Sequence, residues 1–97
     1  MQPQTIEGEL TIFTAAEMKS PLLAFLNTND EIEINLANVT EIDTAGLQLL
    51  ILLKREAAKA GKTLHYVMHS KVVLDLLELA NLTRSFGDQI VLEHIKR

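Results

Sequence analysis

The run Glu41-Ile42-Asp43-Thr44-Ala45-Gly46-Leu47, continued to Lys62, constrains this chain more than any other stretch. Its apolar start ends like a strand at Ile42. Asp43 and Thr44 are both good N-cap residues, and a helix-forming run from Leu47 to Ala60 follows them directly. Gly61 supplies the C-terminal stop. Lys54, Arg55, Lys59 and Lys62 occupy the half of the segment nearest the negative end of the helix dipole, while Asp43 lies at the positive end. Capping and charge therefore agree on a strand, a turn, one helix and its stop.

The 97 residues, 47% of them apolar, suffice for one domain with a real core and are too few for two, so residues 1–97 are expected to form a single domain. A net charge of -4, with no dense Lys/Arg run, argues against nucleic acid or an anionic membrane as partner, since both need a basic footprint. The absence of cysteine removes disulfides, thiolate nucleophiles and thiolate metal sites, and fits a reducing compartment. Met1-Gln2-Pro3-Gln4-Thr5 does not read as a signal peptide, and the apolar run Leu49–Leu53 is far short of the roughly 20 residues that span a bilayer. These features predict a soluble, cytoplasmic protein without direct membrane insertion.

Along the chain, Ile6, Gly8, Leu10 and Ile12 alternate with Thr5, Glu7, Glu9 and Thr11, and Gly8 divides them into two short strand-like pieces, bent or paired like a hairpin. Thr14-Ala15-Ala16-Glu17 has the form of a capping box, so a helix should begin there, with Met18, Leu22, Phe25 and Leu26 at helical spacing. Pro21 should either kink that helix or mark the first turn of its main part. Residues 27–30 form a turn by composition. Glu31–Leu36 alternates again, with Ile32, Ile34 and Leu36 inward. After Gly61, Leu64, Tyr66 and Met68 alternate with Thr63, His65 and Val67. Ser70 can cap a short helix ending near Asn81, with Val73, Leu74, Leu77 and Ala80 on one face. The tail 88–97 reads as helical from Val91, Leu92 and Ile95, although Ile90–Leu92 also fits a strand.

Strands covered on both faces would be continuously apolar, whereas these are polar on one side. One face of the sheet should therefore be open or thinly covered, in a two-layer α/β domain. On the central helix, Gly46, Leu49, Leu50, Leu53, Ala57 and Ala60 share the core side at about 100° per residue. Leu47, Ile51 and Ala58 form a second apolar strip, and Gln48, Arg55 and Lys59 the polar side. That second strip either packs on a neighbouring helix or offers a partner surface beside Thr44.

Other chemistry finds little support. His65 and His69 fall on a strand and its exit, without the shared helical face of a metal pair, and they read with His94 as surface histidines. Ser70 and Ser85 have no evident base, and no glycine-rich phosphate loop is present. Met18 and Met68 read as core filler. Neither a resident cofactor nor a metal is expected.

The strand Ile32–Leu36, the segment from Val39 to Leu47, Ala60-Gly61-Lys62-Thr63-Leu64 and Val72–Leu82 together resemble the STAS family, named for sulfate transporters and anti-sigma-factor antagonists. Order, spacing and residue kind match that family's strand, phosphorylation loop, helix, next strand and next helix. The resemblance implies a mixed sheet of four to five strands with three to four helices mainly on one face. It also implies a non-enzymatic bacterial protein-interaction switch of the anti-sigma-factor-antagonist type. Its partner would be an anti-sigma factor or related ATP-binding serine-threonine kinase, with a phosphatase as a further partner class, and ATP would belong to the partner. Thr44 stands where that kinase phosphorylates, usually a serine. Asp43, Thr44, Ala45, Gly46, Leu47 and Ile51 are the partner-binding candidates. Asn35 and Ala37 stand where the family often has aspartate and serine. The alternative implied by the resemblance is a constitutive accessory subunit of a lipid-trafficking ABC transporter.

Overall fold

The alternation of Ile32, Ile34 and Leu36 with Glu31, Glu33 and Asn35 decides the architecture, because it forces one face of a central strand into the core. The computed structural model describes residues 4–80. In order they form β1 (Gln4–Leu10), α1 (Ala15–Phe25), β2 (Glu31–Ile42), α2 (Thr44–Lys59), β3 (Thr63–Val67) and α3 (Lys71–Leu79). β2 is the middle strand, and β1 and β3 both pair with it in parallel.

Two successive crossovers that step the same way across a sheet with the usual hand place their helices on the same face. That face is the buried one: Ile6 and Leu10 of β1, Ile32, Ile34 and Leu36 of β2, and Leu64 and Tyr66 of β3 join Leu22, Leu49, Leu50, Leu53 and Ala57 from the helices in one core. Thr5, Glu7, Glu9, Glu31, Thr63 and His65 remain exposed on the other side, so the polar-out alternation holds among the described residues.

Several expectations are corrected. The described sheet has three strands, all parallel, rather than a mixed sheet of four to five. The N-terminal segment is one strand, not a hairpin-like pair. Gly8, at φ +83°, absorbs a register shift against β2 and lets the strand continue instead of reversing. Ile12 consequently lies beyond the strand and is exposed, not inward. α1 begins at Ala15 and runs through Pro21, whose missing amide leaves the Glu17 carbonyl without its usual helical donor. Both residues are exposed, so water can serve that carbonyl. The tail helix read at 88–97 lies outside the described residues.

α2 follows its sequence closely. Its C-terminus is a Schellman motif, in which Gly61 N–H donates to the Ala58 carbonyl at 3.1 Å and Lys62 N–H to Ala57 at 2.9 Å. Gly61 takes the left-handed conformation this requires, φ +74°. Across the layers, the buried Tyr66 hydroxyl donates to the Leu50 carbonyl at 2.7 Å, and Lys54 Nζ donates to the Leu64 carbonyl at 2.6 Å while lying over the Tyr66 ring. These bonds fix α2 over β3 and thereby fix where its N-terminus emerges. His69 is buried, correcting its reading as a surface histidine. Among the described residues no helix is long and apolar enough to cross a membrane.

Candidate functional site

β2 ends at Ile42, and the chain turns straight into α2 through Asp43. Asp43 is extended, φ -128° and ψ -171°, and serves as the N-cap: its Oδ1 accepts the Gly46 amide at 3.1 Å. Its other oxygen reaches out of the helix. Oδ2 accepts the Ile12 amide at 3.0 Å, and the Asp43 amide donates back to the Leu10 carbonyl at 3.4 Å. One carboxylate thus joins the start of α2 to the loop after β1. The hydrogen bond from Ile12, then that from Gly46, holds its pKa below the ordinary aspartate value.

Gly46 shows how tight this junction is. A Cβ there would stand 1.9 Å from the Leu10 carbonyl oxygen, so only glycine lets the first turn of α2 cross the end of β1 at this distance.

Of the six candidate partner-binding residues, Thr44 is exposed as the first residue of α2. Among the described residues no side-chain hydrogen bond uses its hydroxyl, because the capping falls to Asp43. Ala45 is half-buried. Gly46 and Leu47 are buried, and Ile51 is half-buried against the core. The start of the second apolar strip is therefore turned inward, as packing between helices requires, rather than presented beside Thr44.

The exposed apolar surface near Thr44 comes instead from a place the alternation misassigns. Ile12 and Phe13 are 68% and 83% exposed in the loop between β1 and α1. Threonines pin that loop. The Thr11 amide donates to Thr14 Oγ1 at 3.0 Å, the Phe13 amide to Thr11 Oγ1 at 3.2 Å, and the Thr14 and Ala15 amides to the Thr11 carbonyl at 3.0 and 2.7 Å. Thr14 Oγ1 donates in turn to the Glu9 carbonyl at 2.9 Å. The Thr14 hydroxyl thus closes the loop and does not cap α1, which corrects the capping-box reading. The available signal was two large apolar residues lying between a strand and a Thr-x-x-Glu helix start.

The surroundings are acidic. Glu9 and Glu41 are direct partners across β1 and β2, and Thr11 Oγ1 donates to Glu9 Oε1 at 3.0 Å. Asn35 and Ala37, the two departures on β2, are joined by a bond from the Ala37 amide to Asn35 Oδ1 at 2.8 Å. Asparagine thus supplies there the same acceptor that an aspartate would. Among the described residues no group of histidines and carboxylates could hold a metal ion.

This arrangement of parallel strands, a capped central helix and an exposed hydroxyl on its first residue can be set beside known proteins. A solved structure described as the anti-sigma factor antagonist SpoIIAA in its unphosphorylated form superposes with a TM-score of 0.70, covering 97% of this chain and 84% of that one at 14% identity. At that identity the likeness speaks for the fold. A family model described as "Mlab, STAS domain" matches residues 5–93, spanning both strands that frame the site and the Asp43–Thr44 turn between β2 and α2. The chain therefore belongs to the STAS domain family.

Proposed function

We propose that this protein is a non-enzymatic interaction switch of the anti-sigma-factor-antagonist type, docking an ATP-binding anti-sigma or serine-threonine kinase partner at the Thr44 turn and released by phosphorylation of Thr44. The observation that carries this reading is the exposed Thr44 hydroxyl one residue after the N-cap aspartate. A phosphate there adds roughly -1.5 to -2 charges beside the amides of a helix start, which stabilise it. It also follows the Asp43 carboxylate directly in the chain, at the end of a strand whose Glu41 pairs with Glu9, adding to local negative charge. A partner that packs apolar surface against Thr44 must then strip water from that phosphate, and this desolvation cost weakens binding even where basic groups lie at the edge of the contact. A penalty of about 2.8 kcal/mol lowers affinity about a hundredfold, enough for a switch.

Mass spectrometry of the protein purified from its own cells, with pull-downs of wild type, Thr44→Ala and Thr44→Glu, tests this. A phosphate on Thr44, a partner retained by Thr44→Ala and the same partner lost by Thr44→Glu are expected. An unmodified Thr44 with every partner kept by both variants refutes it. The match to the family model described by the name Mlab favours a second reading, a constitutive accessory subunit of a lipid-trafficking ABC transporter. Co-purification of a permease and an ATPase that is indifferent to Thr44→Glu would establish that reading instead.

A further inference from the structure

The most exposed apolar side chains beside the switch position do not belong to the helix that carries it. Ile12 and Phe13 project from a short loop, yet all five amides from Thr11 to Ala15 are hydrogen-bonded, to Thr14 Oγ1, Asp43 Oδ2, Thr11 Oγ1 and twice to the Thr11 carbonyl. The backbone is therefore held while two large apolar side chains stand in water. An ordered loop loses little conformational freedom on binding, and a rigid aromatic on such a loop is the usual kind of anchor.

We infer that Ile12 and Phe13 form the apolar anchor of the Thr44 docking face, received by the partner protein in an apolar pocket rimmed with lysine or arginine. This rests on the reading of Thr44 as a docking position. The rim follows from charge. Glu9 and Glu17 flank the loop in sequence, Asp43 is bonded to it, and Glu41 pairs with Glu9. Lys19 is the sole basic residue before Lys54. The same acidity disfavours the other occupants. A second copy docked about a two-fold axis would set acidic patch against acidic patch, and an anionic membrane would be repelled.

The test places p-benzoylphenylalanine at position 13 in the full chain, expressed in its own cells, and irradiates. An adduct with one protein other than this chain is expected. That protein, purified, is then titrated by calorimetry with wild type, Ile12→Ser, Phe13→Ser, Thr44→Glu and, as an exposed apolar control on α3, Val72→Ser. Phe13→Ser should weaken binding by about thirtyfold or more, as loss of an anchor does, with an unchanged melting temperature and with Val72→Ser unaffected. Raising salt from about 0.1 M to about 1 M, which shortens the screening length from about 10 to about 3 Å, should weaken wild-type binding.

Adducts formed with a second copy, with lipid or with nothing overturn the proposal, as does an affinity within about threefold of wild type for both serine variants. Salt-independent binding overturns the basic rim. Sensitivity to Thr44→Glu without sensitivity to Phe13→Ser refutes the anchor and leaves the switch standing. The reverse pattern keeps the anchor and refutes the switch.

Discussion

Gly46→Ala brings two levels of physical reasoning into opposition. Position 46 lies in the first turn of α2, and by helix propensity alone alanine should stabilise it by about 1 kcal/mol. The tertiary contact argues otherwise. The new Cβ would stand 1.9 Å from the Leu10 carbonyl oxygen, 2.8 Å from its carbon and 3.0 Å from Leu10 Cγ. A carbon and a carbonyl oxygen rest at about 3.3 Å or more, so α2 and β1 must part by about 1.4 Å. Leu10 cannot yield freely, since it is buried, paired with Ile42 and bonded to the Asp43 amide. Parting also loosens the bond from the Ile12 amide to Asp43 Oδ2, which joins the two segments.

Overpacking costs about 1–3 kcal/mol and a weakened hydrogen bond about 1 kcal/mol, so after the propensity gain the net loss is about 1–3 kcal/mol. At about 4–8 °C per kcal/mol for a domain of this size, the melting temperature should fall by about 4–24 °C. Urea titration followed by far-UV circular dichroism measures this, with Gln48→Ala, exposed on the same helix, as a control expected within about 0.5 kcal/mol of wild type. A Gly46→Ala protein as stable as wild type, or more so, would refute the close-crossing account of the site.

Tyr66→Phe removes the buried hydroxyl donor to the Leu50 carbonyl, which keeps only its helical bond within α2; a loss of about 0.5–1.5 kcal/mol in urea titration is expected. Leu47→Ala should cost about 2–5 kcal/mol because the side chain is buried, and an unchanged urea midpoint would return Leu47 to the surface. Asp43 has a lowered folded-state pKa, so its contribution is fully present above the unfolded value of about 3.9 and disappears as pH falls through the folded one. Acid titration of Asp43→Asn against wild type checks the sign: the stability gap should be widest near neutral pH and close at the acid end.

Much of the fold follows from short-range chemistry. The inward set Ile32, Ile34 and Leu36, the α2 face of Leu49, Leu50 and Leu53, and the Gly61 stop are written in period, propensity and capping, which act over a few residues, and the structure realises each one. Asp43 and Thr44 mark a helix start by the same local rules. Those rules fail where distant segments compete for one group. Thr14 has the sequence of a cap, but its hydroxyl is taken by Thr11 and Glu9 of the preceding loop and strand. Ile12 continues the strand's alternation, but β1 stops at Leu10, and the Asp43 carboxylate holds the Ile12 amide in a loop.

The sequence by itself determined that a helix begins at Asp43–Thr44 and which side of it is apolar. Only the tertiary structure decided that Leu47 turns inward, that Gly46 lies against Leu10, and that Ile12 and Phe13 stand exposed on the loop that Asp43 holds. The physical reason is one of separation. Capping and periodicity are settled among neighbours, whereas the contact between Ile12 and Asp43 spans 31 positions and exists only once β1 and β2 have paired.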